Sequence, residues 1–396
     1  MQETYSPFFF NSNICLDENS CSTQKKFFDS VARNTGNSYI TFALVKETLG
    51  RAAGIAHAPN AYEFDYSRSA ELADLVNGSC SHFFLILQDQ IRPFESYGYK
   101  LPYDRIISLL DLIKKPIVIA GLGANSLTGF DPQFHKAIPE DLANFVRRLA
   151  DKTRTLGVRG EFTREVLHKI GVDNARTIGC PSFFERGASR TLKKPDSPDR
   201  VFLTSPFENP NYGRLHVVLQ DEDYLINPLC FTWRKRVRKT DYRKLRAGHF
   251  HAFSSIADWK KFASAFDFAM GMRVHGAILS INSGTCAAVF NRDSRAREMC
   301  EFLRIPHLPH MSAEADVQKI FDAADFEPMN REYPRLFQNY REFLSQAGVP
   351  LLDNPPDDGE ILAQPSLRRN ERRLKNNVLR KAVLDIADIF GSHIFP

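Results

Sequence analysis

The chain has 396 residues, of which 43% are hydrophobic and 25% are charged, and its formal net charge is +5. This composition is typical of a soluble globular protein, and the length predicts a sizeable core divided between two domains. No apolar stretch approaches the roughly 18 residues of a membrane span, and the start, MQETYSPFFFNSNICL, lacks the basic region of a secretory signal. The mild positive charge suits an anionic small substrate, an anionic lipid surface or nucleic acid.

Cysteine usage favours a reducing cytoplasm. The seven cysteines contain no CxxC pair, and their odd number and wide spacing argue against a disulfide framework. Most of them are predicted to be small core residues. They are Cys15, Cys21, Cys80, Cys180, Cys230, Cys286 and Cys300.

The first half alternates strand-like and helix-like segments. A polar turn, NTGNSYI, precedes the helix-like run FALVKETL. Apolar runs predict strands at 83–87, 116–120 and 155–158, and helical spacing predicts helices at 106–112, 142–149 and 161–170. A further strand, ARTIGCPS, ends in a Gly-Cys-Pro turn. This alternation predicts a largely parallel sheet covered by helices.

The segment 185–200, ERGASRTLKKPDSPDR, has the composition of a linker. After it the pattern repeats, with strands predicted at 201–205, 215–220, 266–270 and 285–290 and helices at 256–263, 274–281 and 294–303. We therefore predict an N-terminal α/β domain at 1–190, a second α/β domain at 191–330 and a helical C-terminal extension at 331–396. A ligand is expected in the cleft between the two α/β domains.

The C-terminal extension carries a basic segment at 368–381, followed by apolar residues at helical spacing. This pattern predicts an amphipathic helix with a basic lead-in. The helix could pack on the body of the protein or contact an anionic membrane surface. Nucleic acid is not expected as a partner, because no aromatic-rich surface accompanies the charges. The apolar positions are Leu379, Val383, Ile386 and Phe390.

The most informative segment is GMRVHG, which follows the strand-like FDFAM and begins a helix. Open α/β sheets bind ligands at the carboxyl ends of their strands, where this turn is predicted to lie. Arg273 offers a planar fork for carboxylate or phosphate, and His275 can move a proton near neutral pH. The segment therefore predicts an anionic substrate whose reaction needs acid or base help.

Other motifs are weaker. GLGAN, at 121–125, is not a dinucleotide fingerprint, because Ser126 stands where the last glycine would be. Arg159 follows a strand at the start of a helix, where it could hold a phosphate or form a helix-start salt bridge. His249 and His251 alternate along a strand, and HExxH, GxSxG and P-loop patterns are absent, so no metal site is predicted.

Taken together, NTGN, GLGAN, VRGEFTREVL, IGCPS and MRVHGAILSINSGTCAAVFNRDSRAREMCEFL resemble the polysaccharide pyruvyltransferase family over roughly residues 30–310. The resemblance implies two Rossmann-like domains that face each other across a cleft, as in GT-B glycosyltransferases. It also implies that phosphoenolpyruvate is the donor substrate, that no cofactor is needed, and that a cyclic pyruvate ketal forms on a sugar. The acceptor would be a surface glycan or its lipid-linked precursor. The cysteine usage predicts that the enzyme is cytoplasmic, and the basic C-terminal segment could hold it at the inner face of the membrane.

The resemblance also implies site residues in this chain. The expected catalytic residues are Arg159, Arg273 and His275. The expected substrate-binding residues are Asn34, Gly36, Asn37, Gly121, Gly123, Asn125, Asn282, Ser283 and Arg295.

The chain departs from the family pattern in several places. The usual Gly-Asp is Gly36-Asn37, the usual Gly-Asp-Pro is GCP, and the acidic residue after Arg159 is displaced by one position, to Glu161. Arg295 stands for a family lysine. Asn37 and Cys180 therefore stand where the family has aspartates, and neither can act as a carboxylate.

Two other functions remain open from the sequence. A GT-B glycosyltransferase with a nucleotide-sugar donor would use the same cleft and a phosphate-binding arginine. A non-catalytic binding or membrane-scaffold protein would depend on the basic C-terminal helix. Phosphate release from phosphoenolpyruvate distinguishes the pyruvyltransferase from both.

Overall fold

The computed structural model describes residues 5–16, 24–50, 55–93, 100–205, 215–220, 249–291, 293–309 and 316–358. The strands in these ranges are β1 Pro7–Phe10, β2 Ala56–Ala58, β3 His82–Leu85, β4 Ile117–Val118, β5 Leu156–Val158, β6 Ala175–Thr177, β7 Val201–Leu203, β8 His216–Val218, β9 Phe250–His251, β10 Phe268–Gly271, β11 Cys286–Phe290 and β12 His307–Leu308. The helices are α1 Gln24–Ser30, α2 Ser38–Thr48, α3 Ser69–Ser79, α4 Tyr103–Leu112, α5 Glu140–Lys152, α6 Glu161–Lys169, α7 Ile256–Ala263, α8 Val274–Asn282, α9 Ser294–Leu303, α10 Val317–Ala323 and α11 Glu327–Gln346.

The first half forms a parallel sheet with the order β2-β1-β3-β4. The parallel pair β5-β6 continues it, because Leu122 bridges to Val158 beyond the end of β4. The strand order reverses between β1 and β3. In open α/β sheets such a reversal leaves a crevice at the carboxyl ends of the two strands, and ligands bind there.

The second half forms a six-stranded parallel sheet with the order β12-β11-β10-β7-β8-β9. Numbered within this sheet, the order is that of a Rossmann fold, and it reverses between β7 and β10. The crevice at this reversal therefore lies beside Thr204 and Ser205, after β7, and beside Met272 and Arg273, after β10. The predicted α/β class with parallel sheets is confirmed.

Most predicted elements are present within a few residues of their expected bounds. The helices predicted at 256–263 and 294–303 match α7 and α9, and the predicted strands at 83–87 and 266–270 match β3 and β10. The sequence analysis missed β1, although this strand lies in the middle of the first sheet. Its run of Phe8, Phe9 and Phe10 is buried on both faces, so it lacks the alternation that marks a half-buried strand.

The core does not stop at the predicted boundary near residue 190. The larger hydrophobic cluster joins Phe9 and Tyr39 of the first half to Trp259 and Phe337 of the second. Helix α2 is buried along its whole length, and α11 reaches back to it, since the Tyr340 hydroxyl donates to Glu47 at 2.8 Å. The division into domains at 190 and 330, and their facing across a cleft, remain predictions.

The segment predicted to be a linker has no helix or strand between Glu185 and Arg200, but it is not solvated throughout. Glu185 is fully buried and Arg190 is 9% exposed. The Arg190 guanidinium lies between the rings of Phe183 and Tyr333, at 3.9 Å and 4.0 Å from their centroids. Composition therefore identified the irregular backbone but not its packing.

The prediction that most cysteines are small core residues is confirmed for four of them. Cys80, Cys180, Cys286 and Cys300 are free and buried, as predicted for core residues. Cys15, however, is disulfide-bonded, contrary to the prediction of free thiols.

No helix in the described ranges is both long and apolar enough to cross a membrane. The predicted basic amphipathic helix at 368–390 lies outside the described residues.

Candidate active site

A cleft of about 120 Å³ is lined by residues from both halves of the chain. Its wall from the first half includes Gln88 and Asp89, which follow β3 at the strand-order reversal. Its wall from the second half includes Arg273, which directly precedes α8. The strand-end site predicted from GMRVHG therefore lies in a cleft shared by both halves. The predicted residues that line it are Asn34, Asn37, Arg273 and Arg295.

The NTGN turn brings the first half against the second. The Asn34 side chain accepts a hydrogen bond from the Gly36 amide at 2.9 Å and so caps a short 3₁₀ helix. The Thr35 amide donates to the Gln220 carbonyl at 2.9 Å. A Cβ on Gly36 would lie 2.6 Å from Gln220 Oε1 and 3.3 Å from the His275 Cβ. A side chain at this position would displace the end of Gln220 and crowd His275.

His275 lies in the first turn of α8 and is 8% exposed. Its Nε2 is 3.6 Å from the Cys180 thiol, so a neutral sulfur contacts the imidazole at this position. Burial lowers the pKa of His275 well below its ordinary value of 6.5, and the positive charges of Arg159, Arg295 and Arg273 lower it further. The imidazole is therefore neutral at pH 7 in this structure.

Arg159 follows β5 and is 1% exposed. Within the described residues its Nε and Nη2 atoms have no hydrogen-bond partner. These two atoms form the edge of the guanidinium that binds a carboxylate or phosphate through two parallel hydrogen bonds. Buried polar groups are nearly always paired, so this unpartnered edge points to an anionic ligand. The alternative of a helix-start salt bridge finds no support among the described ion pairs.

Asp89 links charged groups from both halves. Its Oδ2 accepts from Arg295 Nη1 at 2.9 Å and from Asn125 Nδ2 at 3.0 Å, and Arg92 Nη1 lies 3.9 Å away. Burial raises the pKa of the carboxyl, but Arg295, Arg92 and Arg159 outweigh burial and hold the pKa below its ordinary range. Asp89 is therefore a stable anion among four basic or amide side chains.

Arg295 is held by two carboxylates and keeps one donor without a partner. It contacts Asp89 at 2.9 Å and Asp293 at 3.1 Å. Burial opposes the charge, yet the two carboxylates raise the pKa of the guanidinium above its ordinary value. Its Nε has no partner in the described part of the chain. Arg295 thus combines a fixed position with capacity for an anion.

The GLGAN turn supports the site from behind. Gly121 packs on Pro181, since its Cβ would lie 3.0 Å from that ring. A Cβ on Gly123 would lie 2.9 Å from Arg159 Cδ, so the absence of a side chain admits the guanidinium stem. Asn125 reaches the cleft through Asp89. These residues position the charged groups and do not line the cleft.

Two predicted substrate-binding residues lie elsewhere. Asn282 is buried at the far end of α8, where its Nδ2 donates to the Tyr39 hydroxyl at 2.8 Å and to the Ser182 carbonyl at 2.7 Å. The Ser283 hydroxyl donates to the Leu279 carbonyl of the same helix. About two helical turns separate them from His275, so only the amino end of α8 meets the cleft. Neither Asn282 nor Ser283 lines the cleft.

The sequence analysis missed two carboxyl groups. Asp89 follows the predicted strand at 83–87, and the strand-end rule applied to Arg273 would have found it. Glu298 lies on α9 beside Arg159 and had no signal in the sequence. Glu161, the displaced acidic residue of the family motif, is exposed and pairs with Arg164 at 2.7 Å instead. No cluster of His, Cys, Asp or Glu suited to a metal occurs among the described residues.

Replacing Asp89 with asparagine is expected to lower the free energy of unfolding by about 3 kcal/mol at pH 7, because partly buried guanidinium groups lose their counter-charge. Since the folded pKa of Asp89 lies below the ordinary 3.8, its stabilisation is present above that pH and is lost as pH falls below it. Urea unfolding at pH 7 and at about pH 3 measures both effects.

The matched control for Asp89 is Asp111→Asn, which removes an exposed ion pair with Arg148 at 3.2 Å. Exposed pairs contribute at most about 1 kcal/mol, so a smaller change is expected. Equal losses of stability in the two variants would contradict the role of Asp89 as the counter-charge of the cleft.

Comparisons with known proteins place this site in context. The family model for polysaccharide pyruvyl transferase matches residues 51–294. A search of curated proteins gives no match.

Two solved structures of Anabaena Alr3699/HepE are similar to this chain. The complex with UDP and glucose has a TM-score of 0.39 at 8% identity, covering 87% of this chain and 95% of that chain. The complex with UDP-glucose has a TM-score of 0.40 at 8% identity, and the match covers 95% of this chain and 100% of that chain. Such scores are too low to assign a fold or a ligand.

The matched segment covers more than half of the chain and contains Arg159, Arg273 and His275. It also contains the strand ends that build the second wall of the cleft. The chain therefore belongs to the polysaccharide pyruvyltransferase family, and the protein is an enzyme of that family.

Proposed function

We propose that this enzyme transfers pyruvate from phosphoenolpyruvate to two hydroxyls of one sugar, as a cyclic ketal, and releases phosphate. The acceptor sugar belongs to a surface polysaccharide or to its lipid-linked precursor. The Nε–Nη2 edge of buried Arg159, which has no partner in the part of the chain that the structure describes, carries the proposal, because this edge fits the paired oxygens of a carboxylate or a phosphate. The proposal also takes the two halves as GT-B-like domains that face each other across the cleft.

Phosphoenolpyruvate carries a carboxylate and a phosphate on the same carbon, and binding both requires several positive groups close together. Arg273 and Arg295 line the cleft, and Arg159 lies close enough to affect the pKa of Asp89 at its wall. We assign these arginines to the two anionic groups of the donor. Three fixed guanidinium groups would stabilise the charge that develops on the leaving phosphate without reorganisation during the reaction.

His275 is the proposed acid. The same three arginines that depress its pKa would be offset by a bound anion. Donor binding therefore raises the proton affinity of the imidazole when the proton is needed. This coupling would keep the free enzyme's histidine neutral and charge it only in the complex.

The chemistry balances with the groups assigned. A proton from His275 adds to the methylene carbon of the donor, while a sugar hydroxyl oxygen bonds to the central carbon and passes its own proton to the imidazole that the donation has left neutral. A second hydroxyl of the same sugar then bonds to that carbon, the bond to the phosphate oxygen breaks, and the hydroxyl proton leaves with phosphate. The reaction is redox-neutral overall and therefore needs no nicotinamide, and the proposal assigns charge stabilisation to the arginines, without a cofactor or a metal.

The test is phosphate release by the full-length enzyme with phosphoenolpyruvate and a panel of sugars and lipid-linked sugars. Release that requires both donor and acceptor, and that persists with EDTA, is expected. A parallel reaction with nucleotide sugars measures nucleotide release. Nucleotide release together with no reaction of phosphoenolpyruvate would overturn the proposal in favour of a glycosyltransferase.

We also propose that the enzyme acts in the cytoplasm and binds the inner face of the membrane through the basic segment 368–381. Each lysine or arginine near an anionic surface contributes about 1 kcal/mol, screened by salt. Charge reversal at four arginines is expected to reduce sedimentation with phosphatidylserine vesicles but not turnover of a soluble acceptor. Unchanged sedimentation would contradict membrane binding. The four are Arg368, Arg369, Arg372 and Arg373.

A further inference from the structure

Glu298 is a buried carboxyl group for which the proposed reaction has no use. Helix α9 places it, 2% exposed, against the start of α6. Its Oε2 accepts from the Thr163 amide at 2.9 Å, and its Oε1 lies 2.7 Å from the Thr163 hydroxyl. That hydroxyl in turn accepts from the Ala124 amide at 2.8 Å. Glu298 and Thr163 thus tie the first turn of α6, just after Arg159, to the GLGAN turn.

Two glycines allow Glu298 to come so close. A Cβ on Gly160 would lie 2.7 Å from the Glu298 Cβ and 2.8 Å from its Oε2. A Cβ on Gly123 would lie 2.9 Å from Arg159 Cδ and 3.6 Å from Glu298 Oε1. Those two atoms are therefore at most 6.5 Å apart, the sum of the two distances. The carboxyl group is therefore near the guanidinium stem, and the charge of Arg159 acts on its pKa.

The charge of Glu298 is finely balanced. Burial raises its pKa to about 8, against the opposing effects of the Thr163 hydrogen bonds and the charge of Arg159. Asp293, at the start of the same helix, raises the pKa as well. Near neutral pH the Glu298 carboxyl is therefore mostly protonated and does not neutralise the positive charge of Arg159, which can bind another anion.

We propose that Glu298 is a positioning residue for Arg159, which it holds through Thr163 while leaving the Nε–Nη2 edge to the donor. The proposal rests on the assignment of Arg159 to donor binding. Two consequences follow. Loss of the Glu298 side chain loosens the turn that carries Arg159 and weakens donor binding. Ionisation of Glu298 places a negative charge near Arg159. This carboxylate then competes with the anionic donor for the positive charge of the guanidinium.

Two substitutions separate these consequences. Glu298→Gln keeps the size and cannot ionise; its amide oxygen can accept from the Thr163 amide and its NH2 group can donate to the Thr163 hydroxyl. Glu298→Ala removes both hydrogen bonds. Phosphoenolpyruvate affinity of the full-length enzyme is measured by calorimetry on both sides of the pKa of about 8. The parent should lose affinity as pH rises through that value, and the glutamine variant should lose less. The alanine variant should bind roughly tenfold more weakly than the glutamine variant at every pH.

The matched control is Glu301→Gln on the same helix. Glu301 is exposed and pairs with Arg297 at 2.7 Å, so this variant should keep the parent's affinity and its pH dependence. Thermal unfolding separates positioning from a purely structural role. If the alanine variant melts lower but its folded fraction binds the donor as the parent does, Glu298 is only structural.

Stability provides a second readout of the ionisation. Because the folded pKa of about 8 lies above the ordinary 4.5, the folded protein holds a proton that the unfolded chain releases between these values. The parent should therefore lose stability relative to Glu298→Gln as pH rises through this window.

A glutamine variant with the parent's pH dependence, together with normal donor affinity in the alanine variant, would overturn the inference and leave the proposed function intact. A parent that binds no phosphoenolpyruvate at all would overturn both.

Discussion

Arg159→Met is expected to abolish most of the activity while leaving the fold at least as stable as in the parent. Methionine fills a similar length without a charge, and a buried guanidinium with two unpartnered nitrogens costs free energy in the folded state. Loss of a fixed donor to a developing anion typically reduces turnover by about 10²–10³-fold. Phosphate release and thermal unfolding on the same sample measure the two effects.

The control for Arg159 is Arg164→Met, five residues further on in α6. Arg164 is half-exposed and pairs with Glu161 at 2.7 Å, so neither activity nor stability should change by more than the small amount of a surface ion pair. If Arg159→Met were strongly destabilised and retained turnover per folded molecule, Arg159 would be a structural residue and the donor assignment would be wrong.

Arg273→Lys examines the same anionic donor from the other half of the chain. Lysine keeps the charge but lacks the planar fork. Because Arg273 lines the cleft and directly precedes α8, its substitution should weaken donor binding without loss of stability. Near-normal turnover in this variant would remove Arg273 from the site.

His275→Gln is expected to reduce turnover by about 10²–10⁴-fold with donor affinity and melting temperature preserved, because glutamine fills similar space but cannot carry a proton. In the parent, acid catalysis is lost as pH rises through the pKa of His275. That pKa should lie below 6.5 in the profile of kcat/KM, which reports the free enzyme, and higher in the profile of kcat, which reports the complex.

The control for His275 is His168→Gln, an exposed histidine on α6 that pairs with Asp173 at 2.6 Å. This variant should retain both pH profiles. A stable His275→Gln protein that turns over within a few-fold of the parent, or identical pKa values in the two profiles, would contradict the role of His275 as a proton donor charged by the substrate.

Local sequence determined most of the elements around the site. The run FDFAM followed by MRVHG was enough to predict β10, the turn and α8, because a buried parallel strand reads as a continuous apolar run and a helix shows its own spacing. The same pattern placed Arg273 at a strand end, and the structure confirms that position. It did not distinguish the two ends of α8, so Asn282 was expected at a site that only the first turn of the helix reaches.

Tertiary structure alone decided which charges meet. Asp89 and Arg295 are 206 positions apart, and Thr163 and Glu298 are 135 apart, so no local pattern pairs them. Their contacts depend on where two sheets reverse their strand order and on glycines that let side chains from the other half approach. Local sequence thus specified the strands, helices and the motif of Arg273 and His275, because these depend on neighbouring residues. The edge of Arg159 that has no partner among the described residues, and the raised pKa of Glu298, arise only from burial, which a folded core creates.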